Sequence, residues 1–269
     1  MLQRIITGLG LVFVIFLALF YLNYYLFFIF SGLVFLIAAW EWFSFSQKNN
    51  FLIKKILLIL LTSSMLIFGF CLGNPIFLGG LYLGVGVWLL NILLILWPQK
   101  LALKNNFYLN ISSFLILIPA WMGLVFLFKP FHPWALIYLI LITALADTGA
   151  YFSGKFLGKH KLAPQISPKK TWEGALGGLL ISGFLSSIFF EYFGNKASAS
   201  FIQIFLISLG LVLLSIFGDL FESLLKRQHG IKDSGVILPG HGGVLDRIDS
   251  LIAVLPFFAL LEFYGHFFN

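Results

Sequence analysis

Charge is scarce in this chain. Asp, Glu, Lys and Arg make up 10% of its 269 residues, against about 25% in an average soluble domain. With so few ionic side chains a folded surface cannot be dressed for water, which excludes a soluble globular architecture. Cysteine is scarcer still. The single Cys71 can form neither an intrachain disulfide nor a cysteine-based zinc cluster, and its place in an apolar run reads as core packing or a lipid-facing position. No internal repeat, low-complexity tract or linker interrupts the chain. The stretch Met1 to Phe20 has the look of a secretory signal, but it lacks a small-residue cleavage site and another apolar run follows directly. It is expected to stay as a first helix.

What fills the chain instead is hydrocarbon: 60% of the residues are hydrophobic and the mean hydropathy is +1.01. The 33 Phe and 7 Trp suit a surface facing acyl chains with aromatic rings near the headgroups. Cutting at charged and Pro/Gly/Asn-rich points leaves apolar runs near 4–20, 24–45, 54–72, 76–97, 108–128, 134–154, 173–193, 201–225 and 248–267. A span needs roughly 20 apolar residues, and backbone polar groups in a bilayer must be satisfied within their own segment, which favours helices. The expected fold is an all-α polytopic transmembrane bundle of about nine spans. Residues 1–130 would supply about five of these spans, and 131–269 the remainder with two long loops, 155–172 and 226–247, as a single integral membrane unit.

The formal charge of +7 does not point to nucleic acid, because the basic residues sit in short loops beside apolar spans rather than on one soluble face. With the N-terminus in the cytoplasm and the C-terminus outside, fifteen of the 17 Lys and Arg fall inside, leaving Lys129 and Lys196 outside. The inside set includes Arg4, Lys48, Lys54, Lys55, Lys100, Lys104, Lys155, Lys159 and Lys161 as well as those of the two loops. Shifting the count by one span would destroy this positive-inside bias. The acids follow the same division: Glu41, Asp147, Glu173, Asp219, Glu222, Asp233, Asp246 and Asp249 lie at or near the inner side, and Glu191 and Glu262 do not. Anionic lipid headgroups and phosphate substrates are the expected partners.

The densest chemistry runs from Ser223 to Asp249. Asp219 and Glu222 precede it at helical spacing and share one helix face, and Asp246 and Asp249 repeat the geometry at the opening of the ninth run. A carboxylate in a bilayer costs about 2.5–3.5 kcal/mol on insertion scales, so four at two helix ends need a compensating partner. Carboxylate oxygens with no cysteine set or His pair point to a hard ion such as Mg²⁺ rather than zinc. Gly240, Gly242 and Gly243 around His241 let backbone N–H groups approach an anion at a helix N-terminus. Lys226, Arg227, Lys232 and Arg247 add cations able to clamp a triphosphate or a lipid phosphate. A solvated loop of paired Asp and Lys would be the blander account; it leaves the carboxylates at the membrane edge and the clustered glycines unexplained.

These residues resemble the signature of the phosphatidate cytidylyltransferase family. Ser223, Lys226, Arg227, Lys232 and Asp233 fall at its Ser-x-apolar-Lys-Arg and Lys-Asp positions, and Pro239 to Asp249 match Pro-Gly-His-Gly-Gly-apolar-x-Asp-Arg-apolar-Asp. The lead-in G-D-L-F-E-S, Gly218 to Ser223, is similar too. A second match spans Ala146 to Leu162 and S-P-K-K-T-W-E-G, Ser167 to Gly174, with Lys155 where the family has Arg. The resemblance covers roughly Ala146 to Asp249, while 1–130 matches only as a hydrophobic bundle.

The resemblance implies transfer of CMP from CTP to phosphatidic acid, giving CDP-diacylglycerol and pyrophosphate, in the cytoplasmic membrane of a bacterium with the site facing the cytoplasm. It implies Mg²⁺ on Asp219 and Asp246, assisted by Asp249, with one ion or two left open, and Lys226 and Arg227 beside them in catalysis. Asp147, Ser167, Lys169, Lys170, Thr171, Glu173, Glu222, Ser223, Lys232, Asp233, His241, Gly242, Gly243 and Arg247 are the expected substrate-binding set. A homodimer is implied by the resemblance alone. Two other readings compete: a CTP-dependent polyprenol or other lipid kinase, separable by its product, and an ion-coupled transporter, whose acids would line the middle of several spans. The D-G-x-x-A-R motif of CDP-alcohol phosphotransferases is absent.

Overall fold

A computed structural model describes residues 2–46, 50–70, 74–96, 106–129 and 132–268. Cys71, Lys48, Lys100 and Lys104 lie outside them, as does the side chain of Arg4.

The apolar runs become helices: α1 (Leu2–Tyr21), α2 (Tyr24–Ser46), α3 (Phe51–Phe70), α4 (Pro75–Leu96), α5 (Asn106–Leu127), α6 (Trp134–Leu157), α7 (Trp172–Phe193), α8 (Phe201–Gln228) and α9 (Leu245–Gly265). Their starts carry local signals. The side chains of Asn23 and Asn50 accept N–H bonds from Leu26 and Ile53 at the openings of α2 and α3, and Pro75 takes the first position of α4, where its missing N–H costs nothing. Thr171 caps α7 by accepting from Gly174 N, and Ser200 with Gln203 forms a capping box on α8. Among the described residues eight helices are long and apolar enough to cross a membrane, and α1 contributes a shorter apolar stretch, Ile6–Tyr21. The chain is thus an integral membrane, almost wholly helical bundle. Large apolar side chains such as Val12, Phe13, Ile59 and Leu180 are exposed on its perimeter, as a hydrocarbon solvent permits.

The loop 155–172 departs from the all-helical expectation. It holds an antiparallel hairpin, β1 (Lys161–Ala163) and β2 (Ser167–Thr171), pairing Lys161 with Thr171 and Ala163 with Ser167. Pro168, expected at a loop-to-helix junction, lies within β2; both strands of a two-stranded sheet are edges, where proline is tolerated. Ile166 at the turn is buried and anchors the hairpin to the bundle.

Small residues set the closest helix approaches, as they do where lipid removes the usual hydrophobic drive for association. A Cβ at Gly149 of α6 would stand 3.0 Å from Gly178 Cα of α7, and one at Gly178 would stand 2.5 Å from Ala146 O. Gly123 of α5 sits against the Leu255 carbonyl of α9, and Gly218 of α8 against the Asp249 carbonyl and Ser250 of α9. The last of these contacts brings the two acid-bearing helix ends together. Overpacking a close contact costs about 1–3 kcal/mol, so Gly178→Val is expected to lower the thermal unfolding midpoint in detergent. Gly79→Val on α4, where nothing lies within 4 Å, should leave the midpoint unchanged.

Candidate active site

Gly218 admits α9, and Asp219 therefore emerges beside it. Its Oδ2 pairs with Lys170 Nζ at 2.6 Å, and its Oδ1 accepts from Ser223 Oγ at 3.2 Å, one helical turn on. Lys170 reaches it from β2, so the hairpin delivers a cation to the end of α8. The next turn of α8 places Lys226 between two carboxylates, Glu222 and Asp246, at 2.6 Å from each. These three side chains are only 12%, 2% and 6% exposed respectively. A lone charge so buried would be strongly unfavourable, and removing one member of such a set typically costs about 3–5 kcal/mol.

Asp246 opens α9 and gathers the glycine loop. Its Oδ2 accepts from Ser234 N at 2.9 Å and Gly243 N at 2.8 Å. The loop turns back on itself through Leu238 and Gly242, with Leu238 N donating to Gly242 O and His241 N to Leu238 O, both at 2.9 Å. Gly240 and Gly242 hold φ of 77° and 81°, backbone that a side chain would strain. His241 Nδ1 lies 2.6 Å from Thr7 Oγ1 of α1, and the same hydroxyl lies within reach of two carbonyl acceptors, Gln3 O at 2.8 Å and Pro239 O at 3.2 Å.

Glu41, in the middle of the W-E-W stretch of α2, falls at the inner side by sequence, which assigns it no role. It is 2% exposed. Its Oε1 accepts from Val244 N at 3.0 Å, and its Oε2 from Leu245 N at 2.8 Å and Ser234 Oγ at 3.1 Å. An acid inside an apolar run was the one available signal; Thr7 and Ser234 carried none.

The expected residues divide into groups. Asp147, Lys155, Lys169, Lys170, Thr171 and Asp219 line a cavity of about 380 Å³. Lys232, Asp233, His241, Gly242 and Arg247 line another of about 570 Å³. Asp147 is within electrostatic reach of Asp219, Lys170 and Arg247, and Asp249 of Asp219, Asp147 and Lys226, so the two cavities belong to one charged region. Arg227 Nε donates to Ile166 O of the hairpin at 3.4 Å. Two residues are occupied within the protein. Thr171 is buried as the cap of α7. Glu173 accepts from the N–H groups of Lys159 and His160 and pairs with His160 Nδ1 at 2.6 Å, holding the turn before β1. Ser167 opens β2 opposite Ala163.

Among the described residues no three acids, histidines or cysteines form a ready-made cation cage. The donor set nonetheless fits a hard divalent ion. Asp147, Asp219 and Asp249 crowd negative charge together, and buried Glu222 Oε1 has no hydrogen-bond partner among the described residues. Mg²⁺ commonly takes one or two carboxylates and completes its shell with phosphates and water. Asp246, with three donors already on it, keeps about one of a carboxylate's four acceptor sites.

A sequence model described as the cytidylyltransferase family matches residues 2–264. The phosphatidate cytidylyltransferase of Haemophilus influenzae is 34% identical, over 97% of this chain and 98% of its own. That of Pseudomonas aeruginosa is 39% identical, over 96% of each, and that of Bacillus subtilis is 40% identical over 62% of this chain and 64% of its own. With its charged region built from the ends of α8 and α9 and a match running almost end to end, the chain belongs to the cytidylyltransferase family.

Proposed function

We propose that this protein transfers CMP from CTP to phosphatidic acid, yielding CDP-diacylglycerol and pyrophosphate. The observation that carries the reading is the Lys170–Asp219 and Glu222–Lys226–Asp246 cluster where two membrane helices meet, in a chain matched along nearly its whole length by proteins named for this activity. A nucleotide from water and a phosphate that stays in the bilayer can meet only at such a boundary.

In the reaction a phosphatidate oxygen attacks the α-phosphorus of CTP, a new P–O bond forms, the bond to the β-phosphate bridging oxygen breaks, and pyrophosphate leaves with that electron pair. No covalent enzyme intermediate is needed, so positioning and charge neutralisation are the protein's task. Asp219 and Asp249 would hold Mg²⁺, with the free site of Asp246 beside them, and the bound ion would offset phosphate charge. Lys169 and Lys170 face one cavity, Lys232 and Arg247 the other, which gives the two phosphate-bearing substrates separate cationic walls. Lys226 keeps Glu222 and Asp246 from repelling the incoming anions. A transporter reading would require acids along the middle of several spans; here Asp147, Asp219, Glu222, Asp246 and Asp249 converge on one end, while Glu191 and Glu262 pair with Lys196 and Lys129 at the other.

Purified protein given phosphatidic acid, Mg²⁺ and CTP labelled at the α-phosphate is expected to place label in a chloroform-soluble product, and chelator should stop it. With CTP labelled at the γ-phosphate instead, label in the lipid would mark a lipid kinase. Asp219→Asn is expected to lower kcat by about 10²–10³, the scale of losing one electrostatic element of a site, with insertion into membranes intact; near-normal turnover would refute the assignment. The excess of Lys and Arg at one end of the bundle supports a site that faces the cytoplasm. In a Cys71→Ser background, an impermeant thiol reagent applied to sealed cells should label Lys196→Cys and spare Lys159→Cys.

A further inference from the structure

Helix α9 begins without a cap of its own: Val244 at its N-cap makes no side-chain hydrogen bond. The first N–H groups of a helix need acceptors, and here they come partly from Asp246 in the helix's own first turn and partly from a distant part of the chain. Gly243 N goes to Asp246, and Val244 N and Leu245 N go to Glu41, about two hundred residues earlier. Ser234 is gripped at both ends, its N–H by Asp246 and its hydroxyl by Glu41. The surrounding sequence makes room for this carboxylate, since a Cβ at either Gly235 or Gly243 would fall on it. Among the described residues Glu41 has no ion-pair partner, and its three hydrogen bonds go to one short loop and one helix start.

We infer that Glu41 is a positioning residue for the transfer reaction: by accepting three hydrogen bonds from Ser234, Val244 and Leu245 it fixes where the first turn of α9 presents Asp246, Arg247 and Asp249 to the end of α8. The inference rests on the proposed cytidylyl transfer and assigns a role in it to the N-terminal half of the chain. Glutamine is the discriminating replacement because it keeps the shape but turns one acceptor oxygen into a donor, which then faces an N–H or hydroxyl. Displacements on the order of 1 Å at catalytic groups cost about 10²-fold in rate.

Glu41→Gln is therefore expected to lower kcat roughly ten- to a hundred-fold. The KM values for CTP and phosphatidate should stay within about threefold, and the thermal midpoint in detergent within a few degrees of the unsubstituted protein. A kcat within twofold of normal would overturn the inference, and so would a loss of rate that merely tracks a collapse of the thermal midpoint. If Glu41→Gln does not accumulate as folded protein, Ser234→Ala removes only one of the three bonds. A several-fold fall in kcat at unchanged midpoint supports the inference, and an unchanged kcat overturns it. Should the unsubstituted protein form no CDP-lipid, it is the transfer reaction that fails, an outcome distinct from either variant's.

Discussion

The structure depends on the close contact of α8 and α9 at Gly218. Only a residue without a side chain lets the Asp249 carbonyl and Ser250 come so near, and the approach obliges acids on both helices to share a confined space. Unbalanced, that crowding would push the helices apart. Lys226 between Glu222 and Asp246, and Lys170 against Asp219, supply the opposing charge. The helix contact and the charge balance occupy the same place in the fold. The resulting cluster has negative charge left over, which suits a cation that arrives with phosphates.

The remaining helices hold this joint in place. Helix α5 packs along α9 through Gly123 and Leu255, α6 and α7 travel as a close pair and bring Asp147 and the hairpin lysines to the same end, and α1 and α2 reach across to the glycine loop through Thr7 and Glu41. The two halves of the chain are thus mechanically linked at the loop, although nearly all of the recognisable chemistry lies in the second.

Much of this was legible in the sequence because lipid imposes a simple code. Apolar runs near 20 residues announce helices, and the starts of α6, α7 and α8 fell within a residue of the expected runs. Two helix ends extend about one turn beyond their apolar runs, each for a physical reason. Helix α8 runs to Gln228 rather than 225 because Lys226 is paired one turn back with Glu222, and α9 begins at Leu245 rather than 248 because its N–H groups find acceptors in Asp246 and Glu41. Periodicity cannot register either effect. The hairpin leaves little local signal, since its strands are short and mostly only partly buried, with Ile166 and Thr171 alone fully so. Lys170 meeting Asp219, and Glu41 meeting Leu245, are long-range encounters that no local pattern encodes.

The exposed apolar rim of the bundle has a bearing on how such a chain can change over time. A side chain that meets only acyl tails is judged on being greasy and little else, so Phe13 or Ile59 can give way to Leu or Val with small effect. Inside, a glycine wedged between two backbones has no substitute. Drift should therefore be written on the outside of the bundle rather than at its glycine contacts.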